Sequence, residues 1–239
     1  MRAVARIRTV LALDVPVRWL FDAPTVAKLA ARLTEAAPSA RLGAITIPRV
    51  ARGVAQPVSF AQSRLWFLDQ YEPGSATYNV PVAVELEGPV DAAVLERVLQ
   101  ALVDRHEALR TTYGASPSEP LQTVRETAAV TLTRVTVASE EEARAVIGRE
   151  VHAPFDLATG LLLRMALVTL SPVQHRLVLC MHHIATDGWS FGILFDEASR
   201  LYEAFAAGRP SPLPSLAIDY LDFAVWQRTS TSSPGRASC

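Results

Sequence analysis

Two apolar runs separated by one tight turn, LLLRMALVTL and HRLVLCMHHI, constrain this chain more than any other feature. Each has the length of a strand, and neither alternates with polar residues. Such strands are buried on both faces. Ser171-Pro172 turns the chain between them. The surrounding pattern supplies the cover. YNVPVAVELEG alternates like a half-buried strand, and Asp91 is placed to cap AAVLERVLQALVDRHEALR, whose Val94, Leu95, Val98, Leu102 and Leu109 form one apolar stripe. Ser59 with Gln62, and Ser139 with Glu142, have the capping-box spacing of helix starts, a further strand is expected within 129–137, and a helix is expected from about Ser190 to Ala207, closed by Gly208. Strands alternating with helices in this way predict an α/β fold, a mixed sheet covered by helices.

Other stretches set boundaries. Residues 1–37 read as short helices, with Ala3, Val4, Ile7, Val10 and Leu11 at helical spacing and Val26, Leu29, Ala30 and Leu33 on one face of a later turn. Residues 38–57 hold three prolines, two glycines and no acid, as a linker does. The main domain is expected over 58–228, followed by an irregular tail, 229–239, rich in small polar residues.

Charge and composition exclude several classes of function. With 23 basic and 24 acidic residues there is no electrostatic footprint for nucleic acid and no polybasic signal for a membrane surface. No run approaches the roughly 18 apolar residues of a membrane span, and MRAVARIRTVLALDVPVRW is broken by Asp14 and Pro16 before any signal-peptide cleavage pattern. Two cysteines provide neither a disulfide framework nor a paired-cysteine zinc site, which suits a reducing cytoplasm.

The second apolar run ends in His182-His183, with Asp187-Gly188 just beyond. Neighbouring strand residues face opposite ways, so the two imidazoles cannot share one role. A histidine exchanges protons near neutral pH, and with no nucleophilic Ser or Cys beside it the natural reaction is direct acyl transfer, in which the base helps an amine or hydroxyl attack a thioester. Asp187 is placed either to orient an imidazole or to hold the loop by an ion pair. A metal site of two histidines and a carboxylate is the rival, weakened because adjacent strand histidines diverge.

MHHIATDGWS resembles the HHxxxDG signature of the condensation domains of nonribosomal peptide synthetases. SFAQSRLWFLDQYEPGSATYNVP, RHEALRTTY, PFDLATGLLLR and YLDFAVWQR resemble further stretches of that family, in the same order. The resemblance implies a chloramphenicol-acetyltransferase-like lobe, the first of two, with the active site between them. It implies that His183 is catalytic in forming an amide between carrier-bound thioesters, as base or by positioning the amine. It also implies that His182 supports the loop, that Asp187 is structural and pairs with an arginine usually supplied by the other half, and that Gly188 permits close backbone approach. Arg105 and Arg110 are expected to tie a helix end to the rest, and Arg110, Trp189 and Ser190 are also candidate supporting residues of the site.

WFLDQ and DGWS most resemble the subclass joining L-configured units. AVARIRTVLALDVPVRWLFDAPTVAKLAARL resembles the later helices of a peptidyl carrier domain, without the GGHS-like stretch whose Ser carries phosphopantetheine. No directly bound cofactor is therefore expected; the substrates ride on phosphopantetheine arms of carrier domains. Expected partners are such carriers and a complementary C-terminal lobe. The sequence reads as covering half of the family's site, through truncation or a shifted frame, so an inactive chain is an open expectation beside an active one. The alternatives are a non-catalytic interaction fragment or pseudogene product, and a free-standing acyltransferase using coenzyme A thioesters.

Overall fold

In the computed structural model, residues 2–11, 13, 15–36, 46–116 and 119–231 are described, and the chain divides into two compact units, Met1–Ile47 and Pro48–Cys239. The first unit holds α1 (Arg2–Leu11), α2 (Trp19–Asp22) and α3 (Val26–Ala36). Val4, Leu13, Val15 and Leu33 form its small core, with Ile7 and Leu29 packed against it, and Arg32 bridges Trp19 and Asp22. Several members of the expected apolar faces do not join that core: Val10 is 64% exposed, Leu11 50% and Val26 88%, and Ala30 is exposed as well. The helical period is met at these positions, but these helices are too short for a full stripe to be covered.

Residues 38–45 of the expected linker lie outside the described residues, whereas 48–57 belongs to the second unit. Its arginines explain why. Arg52 makes a two-pronged pair with Asp222 at 2.7 and 2.8 Å and reaches both oxygens of Glu107, while Arg49 bonds Asp219 at 3.0 Å. Gln56 and Pro57 form β1 (Gln56–Pro57). Loop-like composition thus marks a docked strap, held by ion pairs that periodicity does not reveal.

The second unit continues with α4 (Phe60–Tyr71), β2 (Asn79–Glu87), α5 (Ala92–Arg105), a 3-10 turn (Glu107–Arg110), β3 (Thr111–Ala115), β4 (Pro120–Val124), β5 (Thr133–Thr136), α6 (Glu140–His152), β6 (Leu163–Ser171), β7 (Gln174–His182), α7 (Ser190–Ala206) and α8 (Tyr220–Thr231). The caps behave as expected. Ser59 and Gln62 form a complete capping box, and Asp91 accepts from the amides of Ala93 and Val94. Gly208, at φ 68°, occupies the left-handed position that closes α7.

The two apolar runs form the β6–β7 hairpin at the centre of a four-stranded sheet ordered β2-β7-β6-β5, with β5 parallel to β6 and the other pairs antiparallel. Alternation sorts their side chains. Leu163, Met165, Leu167, Leu177, Leu179 and Met181 meet α5 and α7 on one face, while Ala166, Val168 and Val178 meet α6 on the other. The expected mixed sheet with helical cover is thus present. A second, antiparallel sheet, β1-β4-β3, was not expected, because its strands are short and follow a stretch that reads as helix to Arg110; α5 stops at Arg105. In the other direction, α8 runs to Thr231, into the expected tail, with the Thr229 hydroxyl bonding back to the carbonyls of Val225 and Trp226. Residues 232–239 lie outside the described residues.

Candidate active site

β7 ends at His182, and the two histidines part as strand alternation requires. His182 is 2% exposed, on the α6 face of the sheet, with the Phe155 ring edge-on at 6.0 Å and the Tyr78 ring at 6.3 Å. Its Nδ1 accepts the Ile184 amide at 3.1 Å, so its proton sits on Nε2. Burial, reinforced by neighbouring His183, pushes its pKa down to about 4. His182 is therefore a neutral structural imidazole that shapes the loop following the strand.

His183 is exposed, and main-chain groups hold it on both sides. Its amide donates to the Tyr78 carbonyl at 2.8 Å, and its Nδ1 lies 2.8 Å from the Thr186 carbonyl. A carbonyl only accepts, so Nδ1 carries the proton and the Nε2 lone pair is left for chemistry. An imidazole oriented through one nitrogen and free at the other has the arrangement of a general base.

Asp187 serves the loop. Its Oδ1 accepts the amides of Trp189 and Ser190 and the Ser190 hydroxyl, at 3.1, 2.9 and 2.7 Å, and its own amide donates to Ser190 Oγ at 3.3 Å. These bonds brace the turn that leads into α7, and the Ser190 hydroxyl bond foremost holds the carboxyl below its ordinary pKa. Among the described residues no arginine makes an ion pair with Asp187. Ser190 braces the loop through its amide and its hydroxyl, and Trp189, 63% exposed, donates its backbone amide to Asp187.

The backbone of Gly188 lies outside the left-handed region, and a Cβ there would meet nothing within 4 Å, so the turn itself does not need glycine. Arg110 is committed elsewhere: it bonds the carbonyls of Val103, Asp104 and Arg125, closing the end of α5 against β4. An arginine that satisfies three carbonyls is a helix-end clamp, and Arg110 does not reach the histidine loop. Phe67 is 63% exposed and stacks on Tyr71.

Other residues near the histidines were not singled out from sequence. Arg164 bonds the carbonyls of Glu150, Ala153 and Pro154 at the end of α6, and its guanidinium lies 3.8 Å from the centre of the Phe155 ring that touches His182. Asn79, paired with His182 across β2 and β7, takes the carbonyls of Val151 and Ala153. A charge inside LLLRMALV was the available signal for Arg164, since a buried arginine must be paired. Tyr78 and Thr186 act through carbonyls, which no side-chain pattern announces. Among the described residues no group of three metal-ligating side chains converges.

The family model for the condensation domain matches residues 54–237. The chain belongs to the condensation-domain family. Tyrocidine synthase 2 of Brevibacillus parabrevis is 38% identical over 233 residues, covering 98% of this chain and 6% of that protein. The X-domain from teicoplanin biosynthesis superposes with a TM-score of 0.73 at 31% identity, over 81% of this chain and 42% of that one. The first condensation domain of the calcium-dependent antibiotic synthetase, solved with a substrate analogue, gives 0.68 at 26% identity, over 76% and 45%. The chain thus spans less than half of these solved domains and a small fraction of the synthase. The resemblance carried by HHxxxDG and its companion stretches is borne out, as is the α/β fold of the condensation domain that it implied. The matched region falls within the second unit.

Proposed function

We propose that this condensation domain takes part in amide-bond formation between carrier-bound thioesters, with His183 as the catalytic residue. The observation that carries the reading is the Nδ1 bond to the Thr186 carbonyl, which turns the Nε2 lone pair outward. In the reaction, the acceptor amine attacks the donor thioester carbon; the C–N bond forms, the C–S bond breaks, and the amine proton passes by way of Nε2 to the departing thiolate. His182 and Asp187 position the loop without touching the reacting atoms. The substrates are aminoacyl or peptidyl units on phosphopantetheine arms, and the likeness in WFLDQ and DGWS favours the subclass that joins L-configured units. The first unit is read as the later helices of a carrier domain, because an alignment covering 98% of the chain must extend well ahead of residue 54 into that unit. Among the described residues no helix is long and apolar enough to cross a membrane, and we place the reaction in the cytoplasm.

The test is amide formation by the purified chain supplied with loaded donor and acceptor carriers, followed by mass spectrometry, alone and with a separately expressed C-terminal lobe. Product that disappears in His183→Ala supports the reading, and product that persists in that variant overturns it. A non-catalytic reading is favoured by one observation: the X-domain also appears in complex with OxyB of teicoplanin biosynthesis. That reading predicts stable capture of a partner protein with no turnover. Transfer from a coenzyme A thioester with no carrier would instead mark a free-standing acyltransferase.

A further inference from the structure

Beside the histidine loop lies a cleft of about 270 Å³. One wall comes from the loop and the first turns of α7, through Met181, Thr186, Ile193 and Leu194, and the facing wall from Ile218 and Tyr220 ahead of and at the start of α8. Met181 lies in β7 two residues before His183, which follows the end of the strand. Thr186, in the same wall, supplies the carbonyl that holds the His183 ring. The cleft wall therefore includes one of the two residues that hold His183.

Its charges are already matched. Glu197 takes Arg105 at 3.0 Å and His106 at 2.6 Å, Glu107 takes Arg52, and Asp219 takes Arg49. A ligand ammonium would have to displace an existing partner, and a ligand carboxylate would meet three carboxylates. Apolar carbon, in contrast, finds Met181, Leu194, Ile193 and Ile218. The volume lies just below the roughly 300–1,000 Å³ of drug-sized sites, which is room for one side chain and too little for a peptide.

We infer that this cleft is a side-chain subsite, which receives the uncharged apolar side chain of an aminoacyl thioester presented to His183. The inference rests on the reaction proposed above and adds the substrate class. Ile193, 47% exposed at the mouth, is the residue through which the preference can be altered without disturbing the core.

The experiment uses the whole chain labelled with ¹³C-methyl methionine. Met181 reports on the cleft, Met165 on β6 serves as a fold control, and the His183 ring signals report on the base. The probes are leucyl, lysyl and aspartyl pantetheine analogues in which the thioester sulfur is replaced by NH. The expected result is that all three shift the His183 signals. Leucyl alone should shift the Met181 methyl, with a Kd about tenfold below the others, the change expected from burying one aliphatic side chain. In Ile193→Asp, with the Met165 signal unmoved, leucyl binding should weaken about tenfold and lysyl should become the tighter ligand. If His183 responds to all three while Met181 responds equally or not at all, the subsite is overturned and the reaction stands. If neither residue responds to any probe, the reaction reading fails and the subsite falls with it.

Discussion

His182 and His183 adjoin in sequence yet have opposite proton arrangements: the first is protonated on Nε2 and buried, the second on Nδ1 and exposed. The buried one links stability to pH. Its pKa falls from 6.5 in the unfolded chain to about 4 in the folded one, so the unfolded chain binds the proton first. Its contribution is fully present above pH 6.5 and is lost as the pH falls through about 4, on the order of 3 kcal/mol at most. His182→Asn keeps an acceptor for the Ile184 amide but does not titrate. Urea unfolding from pH 7.5 to 4 should therefore show a shallower loss of stability in the variant, and parallel curves would refute the account. Strand alternation in the sequence was enough to separate the two histidines. It could not say which nitrogen carries each proton, because that depends on a carbonyl at Thr186 and an amide at Ile184.

Among the elements, the end of α6 is held by groups from two strands. Arg164 of β6 and Asn79 of β2 together take the carbonyls of Glu150, Val151, Ala153 and Pro154. The last carbonyls of a helix have no partner within it, and a cation is well placed there. Arg164→Met should destabilise the second unit by about 3 kcal/mol, since three charge-assisted bonds to main-chain carbonyls are lost together, and should speed hydrogen exchange in the last turn of α6. Arg164→Lys should fall between, because an ammonium can neither make the fork nor lie flat on Phe155. A loss under about 0.5 kcal/mol in Arg164→Met, the size of an ordinary surface change, would show that the clamp is idle. The central hairpin, the caps at Ser59 and Asp91 and the closure at Gly208 were legible because local pattern dictates them. The β3–β4 pair was not, because Thr111–Ala115 and Pro120–Val124 are five residues each and their pairing depends on distant partners.

For the second unit as a whole, stability leans on its first residues. Asp222 has no exposed surface; burial works against its charge, yet bonds from Arg52 and from the amides of Asp219 and Val50 hold its pKa down to about 2. The carboxylate is therefore tied to a strap about 170 residues earlier in the chain. Two versions of the unit, beginning at Pro48 and at Val54, should differ by about 3 kcal/mol or more in urea unfolding, because the shorter one leaves a buried charge unpaired. Equal midpoints would contradict this. A domain boundary drawn from composition at 57 discards that strap.

The anchoring of His183 has a consequence for inheritance. Both of its partners are peptide carbonyls, at Tyr78 and Thr186. Mutation can replace the side chains at either position while the oxygens that hold the His183 backbone and ring stay in place, so this histidine is shielded from substitution drift at the very residues that hold it.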